Sequence, residues 1–115
     1  MKLHRWNQIE KEQMNPGFAR QVIHAESMTV ARVYLQKGYR VPEHRHVNEQ
    51  LSLIEKGRLR FEIGGREIDV GPGEALQIPS NVPHAALALE YTEGVDIFTP
   101  LREDWRTGDD AYLRR

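Results

Sequence analysis

Residues 38–57 read GYRVPEHRHVNEQLSLIEKG and contain three side chains that are able to bind a metal, His44, His46 and Gln50. On an extended strand alternate side chains point to one face, so the imidazoles of His44 and His46 are able to face one point. Gln50 lies an even number of residues beyond His46 and joins the two histidines if the strand continues without a bulge. If a bulge shifts the register, Glu49 takes its place. The stretch therefore predicts a metal site on β-strands.

His84 is a fourth candidate ligand, far downstream and just after a loop that contains Pro79 and Pro83. Two strands that meet at one end of a barrel would place all four nitrogen and oxygen ligands around one ion. Imidazole nitrogen and carbonyl oxygen suit Zn, Ni, Mn or Fe. A His-x-His pair is also found as two ordinary polar residues, so the metal hypothesis depends on the surrounding fold. We interpret His4 and His24, which have no such neighbours, as surface or edge histidines.

The composition limits the classes of function. The 115 residues suffice for one domain, and 39% hydrophobic with 29% charged residues is ordinary for a globular protein. Lys plus Arg (16) nearly balance Asp plus Glu (17), so charge gives no reason to expect a nucleic acid or membrane partner. The absence of cysteine excludes disulfides and thiolate metal sites. No apolar run approaches the roughly 20 residues of a membrane span, and the first residues lack the apolar segment of a signal peptide. We therefore expect a cytoplasmic protein.

Residues 18–99 carry the pattern of an all-β fold, with eight or more short strands separated by turn signals. Residues 59–63 alternate apolar and charged side chains, as in a half-buried strand. Gly64 and Gly65 are typical of a two-residue hairpin loop, since glycine adopts the positive φ angles that such loops require. We predict a further turn around residues 92–94, before the last strand. No part of this region has a convincing helical period.

The flanking segments are assigned separately. Residues 1–17 form an N-terminal arm, which is either a surface segment or a strand that pairs with the main sheet or with a second subunit. Residues 100–115 form a short tail with one or two helical turns. The apolar side chains of Trp105, Tyr112 and Leu113 indicate that the tail packs on the barrel.

The outer face of the predicted barrel also carries apolar side chains. They alternate along their strands with Gln50 and Asp96, so they point away from the interior that holds the predicted site. An apolar outer face needs a cover, and a second copy of the chain in a two-fold homodimer is a commoner cover than the tail. The side chains in question are Leu51, Leu53, Val95 and Ile97.

Two spacings in the chain resemble the motifs of the cupin family. Residues 38–57 have the order Gly, five residues, His, one, His, three, Gln, six, Gly, and the family has Glu where this chain has Gln50. Residues 73–88 resemble the second motif, although the family has Gly and Asn where this chain has Asn81 and Ala88. The resemblance implies a single small jelly-roll barrel, often dimeric. The metal ligands that it implies are His44, His46, Gln50 and His84.

Two further features bear on the chemistry. Three neutral imidazoles and one neutral amide leave the charge of a divalent ion uncompensated, so the site should attract an anionic ligand and act as a Lewis acid. Asp96 and Phe98 share one face of the last strand, and a carboxylate in an apolar lumen is costly without a partner or a task. Arg102 follows the strand and offers a bidentate clamp for a substrate carboxylate. Alternatively, Asp96 and Arg102 form a structural ion pair at the barrel rim.

The His-x-His-x3-Gln site, the late histidine and the order Asp-x-Phe-x3-Arg are together similar to the KdgF-type cupins of pectin and alginate breakdown. That resemblance implies conversion of cyclic 4,5-unsaturated uronates into linear keto sugars. It also implies Asp96 as the catalytic acid/base, with Phe98 and Arg102 as active-site neighbours. Two other functions stay open, a metal-dependent dioxygenase and a non-catalytic cupin that binds a small molecule. Neither the metal nor the exact uronate follows from the sequence.

Overall fold

The computed structural model describes residues 1–110 and Leu113, which fold into two facing antiparallel sheets of jelly-roll type. The strands are β1 Glu12–Asn15, β2 Phe18–His24, β3 Thr29–Leu35, β4 Arg40–His44, β5 Glu49–Lys56, β6 Leu59–Ile63, β7 Arg66–Val70, β8 Ala75–Ile78, β9 His84–Ala88 and β10 Thr92–Thr99. The six-stranded sheet has the order β1-β2-β3-β10-β5-β8, and the four-stranded sheet has the order β4-β9-β6-β7. The all-β jelly-roll prediction is therefore confirmed.

The core lies between the sheets and follows from the alternation of side chains along the strands. In β3 every second residue is buried, and Ala31, Val33 and Leu35 face Leu59 and Phe61 of the opposite sheet within one apolar cluster. Removing one large apolar side chain from water stabilises the fold by about 1.5–3 kcal/mol. The core thus fixes which face of each strand points inwards, and with it the residues that are able to form an internal site.

The predicted turn around residues 92–94 is wrong, because these residues begin β10. The chain reverses one step earlier, at residues 89–91, between the end of β9 and the start of β10. Gly94 serves a different purpose, since a Cβ atom there would lie 2.7 Å from the backbone oxygen of Leu53. Glycine at this position allows two strands to approach closely, which the sequence pattern cannot distinguish from a turn.

The N-terminal arm joins the main sheet. After a 3₁₀ helix at Trp6–Gln8, strand β1 pairs antiparallel with β2 at the edge of the six-stranded sheet. The side chain of Gln21 on β2 donates hydrogen bonds to the backbone oxygens of Trp6 at 2.7 Å and Ile9 at 3.0 Å. Of the alternatives for the arm, pairing with the main sheet of the same chain is the one observed.

The C-terminal tail contains helix α1, Glu103–Arg106, in agreement with the predicted helical turn. Trp105 packs against the core cluster, and Leu113 is buried within it. Tyr112, which the sequence also assigned to this contact, lies outside the described residues. Within the described part of the chain no helix combines the length and hydropathy needed to cross a bilayer.

An apolar strip runs across the outer face of the six-stranded sheet. Ile97 on β10 lies opposite Val30 on one side and Leu51 on the other, and Val95 lies opposite Leu53. Leu51 is 37% exposed, and the other four are half-buried. The strip thus lies on the outer face of strands whose inner faces carry Gln50 and Asp96.

Candidate metal centre

Three histidines converge at one end of the barrel. His44 ends β4 and lies opposite His84, which begins β9. One ring nitrogen from each of these two and from His46 lies within 4.8 Å of the others. The three side chains are therefore able to hold one metal ion, as the sequence predicted.

The route by which His46 reaches the site differs from the prediction. The strand does not run on from His44 to Gln50, because β4 ends at His44 and residues 45–48 form a loop. The side-chain amide of Asn48 donates to the backbone oxygens of Pro100 and Leu101, which ties this loop to the segment after β10. His46 thus faces its partners because the loop is anchored, and not because of strand alternation.

Each of the three histidines is oriented by the main chain. Its Nδ1 lies at hydrogen-bond distance from a backbone carbonyl two residues away, and a carbonyl only accepts, so Nδ1 carries the proton. The neutral ring then presents an unprotonated Nε2, which is the form that ligates a metal. The acceptors are Pro42 O for His44 at 2.8 Å, Asn48 O for His46 at 3.0 Å and Val82 O for His84 at 2.8 Å.

Burial and neighbouring positive charge keep these rings neutral. Burial lowers the pKa of His44 to about 4, even though the hydrogen bond to Pro42 acts in the opposite direction. Burial, followed by the positive charge of Arg102, lowers the pKa of His46 to about 4. The pKa of His84 is also lowered, mainly by burial. Near neutral pH all three rings are therefore available as ligands.

Gln50 joins this group through its carbonyl oxygen. Its Oε1 lies 3.1 Å from Nε2 of His46, and both atoms are acceptors when the His46 proton is on Nδ1. Two lone pairs at this distance repel each other unless a cation binds both. The neighbouring Glu49 points to the exposed face, where it accepts a hydrogen bond from Gln77 at 2.8 Å. The strand pairing thus places Gln50, and not Glu49, beside the histidines.

A buried ring nitrogen without a hydrogen-bond partner also supports a metal site. Nε2 of His84 is buried and has no hydrogen-bond partner among the described residues. A buried polar atom in this condition is costly, whereas a metal bond would use its lone pair. The donor set of three imidazoles and one amide oxygen therefore fits Zn, Ni, Mn or Fe.

Asp96 and Phe98 lie in the wall of the cavity that also contains His44, Gln50 and His84. The carboxylate of Asp96 accepts a hydrogen bond from Oγ of Ser52 at 2.7 Å. Burial raises the pKa of Asp96 to about 6, although the Ser52 hydrogen bond and the charge of Arg102 both act to lower it. A carboxylate with this pKa is largely ionised at neutral pH and is able to exchange a proton with a bound molecule.

Arg102 is buried, with 1% of its side chain exposed, and lines the same cavity. Its ion-pair partner among the described residues is Asp104, which accepts from Nε at 2.9 Å and from Nη2 at 2.7 Å. The guanidinium also stacks on the rings of Phe98 and Trp105. Among the described residues no ion pair joins Asp96 to Arg102, so the alternative of a structural ion pair between them is wrong. The Nε–Nη2 edge of the Arg102 guanidinium is already hydrogen-bonded to Asp104.

A surface groove is lined by His46 of the histidine cluster. The internal cavity has a volume of about 60 Å³, whereas this groove has a volume of about 490 Å³. Pockets that bind small molecules have volumes of about 300–1,000 Å³, so the groove has room for a ligand and the cavity alone does not. The loop residues His46 and Asn48 form one wall, and Leu101 and Asp104 form part of the other.

Sequence reasoning missed four residues of this site. Ser52 had a usable signal, because it lies two residues after Gln50 on the same strand face. Trp105 was assigned only to packing, although it also lines the cavity. Asn48 gave no signal, since a loop amide looks like an ordinary surface residue in a sequence. Asp104 lies in a Glu-Asp-Trp segment that resembles the tail of the KdgF-type cupins, but no role in the site was predicted for it.

Comparisons with known proteins agree with this fold. The family model described as "Cupin domain" matches residues 31–97. KdgF from a Halomonas species is 25% identical, with a TM-score of 0.80, over 86% of this chain and 94% of that one. An RmlC-like cupin from Shewanella frigidimarina is 24% identical, with a TM-score of 0.84, over 91% of this chain and 96% of that one.

A more distant solved structure shares the fold alone. A mutant of the oxalate decarboxylase OxdC from Bacillus subtilis is 22% identical, with a TM-score of 0.74, and this chain spans 28% of its length. The comparison with curated proteins gave no match.

Replacing His84 by alanine is expected to abolish tight metal binding. Loss of a partner that merely orients a ligand weakens metal sites about 10–100-fold, so loss of the ligand itself should cost at least about 100-fold in affinity. Titration calorimetry of the metal-free protein with Zn²⁺ or Ni²⁺ measures this. His24→Ala is the matched control, because His24 is also part-buried and hydrogen-bonded, to Thr29, but lies outside the cluster. Equal affinities for the His84→Ala variant and the wild type would contradict the assignment.

The metal-free protein is expected to lose stability on acidification. An unfolded histidine has a pKa near 6.5, whereas burial lowers that of folded His44 and His46 to about 4. Between these values the unfolded chain binds more protons, so the free energy of unfolding falls as the pH decreases. Urea unfolding from about pH 8 to about pH 4.5 should show a midpoint that is steady above pH 6.5 and declines below it.

The triple variant His44→Asn, His46→Asn, His84→Asn separates this effect from that of the carboxylates. Its midpoint should decline less over the same interval, since the three shifted groups are absent. Parallel profiles for the variant and the wild type would show that the histidines do not cause the acid sensitivity.

Proposed function

The chain belongs to the cupin family, and on that basis we propose that it is a metal-dependent enzyme which opens cyclic 4,5-unsaturated uronates to linear keto sugars. The observation that carries the proposal is the presence of the Asp96 carboxylate in one cavity wall with His44, Gln50 and His84. The resemblance of the sequence to the KdgF-type group and the likeness to KdgF from Halomonas support this choice of substrate.

The chain's own residues have defined parts in this proposal. The ion would be held by His44, His46, His84 and Gln50. When bound, it would act as a Lewis acid on the oxygens of the substrate. Arg102 lines the same cavity, but its charge is paired with Asp104. The preference for an anionic substrate such as a uronate therefore rests on the ion, whose charge four neutral ligands would leave uncompensated.

Asp96 moves the proton. Its carboxylate takes the proton of the hemiacetal hydroxyl, a carbonyl forms at that carbon, and the bond from it to the ring oxygen breaks. The electron pair of the broken bond stays on the former ring oxygen, which together with the adjacent double bond is an enolate. Return of one proton to the enol carbon gives the ketone, so the reaction is an isomerisation that needs no oxidant. A base with a pKa of about 6 is suited to this exchange near neutral pH.

His46 lines the surface groove, whereas Asp96 lines the internal cavity. Since the cavity of about 60 Å³ is too small for a whole sugar, we infer that the ring lies in the groove and that only its reacting end enters the cavity. Phe98, which is 2% exposed and packs against His46, excludes water from that end of the site.

Replacing Asp96 by asparagine is expected to abolish turnover without changing metal content. Asparagine accepts the Ser52 hydrogen bond through its own carbonyl oxygen but does not act as a base. The measurement is ultraviolet absorbance, which follows loss of the 4,5-double bond in unsaturated uronates produced by a polysaccharide lyase, with metal analysis of the same samples.

Asp69→Asn, at a carboxylate paired with Arg60 on the exposed face of β7, is the matched control and should keep wild-type activity. A chelator-treated wild type should lose the acceleration over the spontaneous rate. Full activity of Asp96→Asn would remove Asp96 from the mechanism. No acceleration by the metal-loaded wild type would reject the sugar chemistry, and oxygen uptake and ligand binding would then test the dioxygenase and the binding protein.

We also propose that the chain forms a two-fold homodimer through the apolar strip on the outer face of the six-stranded sheet. The strip is contiguous across β3, β10 and β5, and Leu51 on β5, at one edge of the strip, is 37% exposed. Leu51→Glu should shift the sedimentation coefficient from dimer to monomer, because an unpaired carboxylate in an apolar interface is costly. Gln36→Glu, on an exposed turn, should leave it unchanged. A wild type that sediments as a monomer at micromolar concentration would contradict the dimer.

A further inference from the structure

Ser52 is fully buried in the barrel, between Gln50 and Asp96. Strand alternation places Gln50 and Ser52 on the inner face of β5, and the pairing of β5 with β10 sets Ser52 directly opposite Asp96. Its hydroxyl is hydrogen-bonded to both neighbours, at 2.9 Å from Nε2 of Gln50 and 2.7 Å from Oδ1 of Asp96. One hydroxyl thus links the base of the proposed reaction to a ligand of the proposed metal centre.

The direction of these hydrogen bonds follows from the chemistry of the three groups. An ionised carboxylate only accepts, so the single hydroxyl proton of Ser52 is donated to Asp96. The Ser52 oxygen is then an acceptor for Gln50, and only the amide nitrogen of Gln50 is able to donate to it. The opposite atom of the same amide, Oε1, is therefore directed at His46, 3.1 Å from its Nε2.

We propose that Ser52 is a positioning residue that holds the Gln50 amide with its carbonyl oxygen towards the three imidazoles, so that Gln50 ligates the metal. The inference rests on the proposed metal site. Without the hydroxyl, the amide is free to turn over and to present its NH₂ group, which has no lone pair to offer a cation. Gln50 is therefore able to ligate the metal because Ser52, which itself donates to Asp96, holds the amide in this orientation.

The same arrangement accounts for glutamine at a position where the cupin motif has glutamate. A carboxylate at residue 50 would compete with Asp96 for the one proton of Ser52, and two negative charges would share a buried hydroxyl. Like charges held close in a buried site disfavour ionisation of both groups. A neutral amide that donates to Ser52 avoids this conflict and leaves Asp96 ionised for catalysis.

The experiment measures metal binding without substrate. Titration calorimetry with Zn²⁺ and the visible absorption spectrum of the Co²⁺-loaded protein are recorded for the wild type, Ser52→Ala, Gln50→Ala and the double variant. Ser52→Ala should weaken Zn²⁺ binding about 10–100-fold and change the Co²⁺ spectrum, because one oxygen ligand is lost. The double variant should bind no more weakly than Gln50→Ala, because Ser52 acts only through Gln50.

Two variants separate positioning from general effects on the fold. Thr92→Val removes another fully buried hydroxyl, at a position remote from the histidines, and should leave affinity and spectrum unchanged. Ser52→Thr keeps the hydroxyl and should retain the wild-type spectrum, which covers the case in which Ser52→Ala does not fold.

Wild-type affinity and spectrum in Ser52→Ala would overturn the inference, as would additive losses in the double variant. An altered spectrum in Ser52→Thr would do the same, since the hydroxyl is then not the feature that matters. Failure of the sugar chemistry gives a different pattern. A wild type that does not convert uronates, with the coupled loss of metal affinity in the variants, would reject the substrate and retain the role of Ser52.

Discussion

The site depends on three hydrogen bonds from imidazole Nδ1 to main-chain carbonyls. They fix the tautomer of His44, His46 and His84, and they turn each Nε2 into the same small space. Burial then keeps the rings neutral, so their lone pairs are held close together without protons. Without a cation, lone pairs held this close repel each other, whereas a bound cation would use all of them. The rest of the fold serves to hold the three carbonyls where they are.

The pairing of β10 with β3 and β5 is the second constraint. It brings Asp96 opposite Ser52 and Phe98 opposite Gln50, all on the inner face. The same alternation sends Leu51 and Ile97 to the outside. One register therefore determines both which polar side chains line the cavity and which apolar side chains form the strip on the outer face. A slip of one residue would turn the apolar side chains inwards and the polar ones outwards.

Much of this was predictable from the sequence, because alternation and glycine placement report directly on strands. The three histidines were predicted because their spacings resemble the two cupin motifs, and not because a His-x-His pair alone indicates a metal. The errors have physical causes. Gly94 marks a close approach of two strands and was mistaken for a turn. His46 lies in a loop whose anchoring by Asn48 depends on residues 52 and 53 positions further along the chain, which no local pattern contains. The pair of Arg102 with Asp104 likewise becomes visible only when the tail is placed.

The acceptors that orient the histidines belong to the backbone, and this bears on how such a site evolves. A side-chain acceptor is lost in a single substitution, whereas a carbonyl survives any replacement that leaves the main chain in place. The arrangement of the three histidines is thus less sensitive to substitutions around it. The cavity is also lined by the side chains of Asp96, Phe98, Arg102 and Trp105, and each of these is open to replacement. A barrel of this construction is able to change the molecule that it recognises while the arrangement of its histidines stays the same.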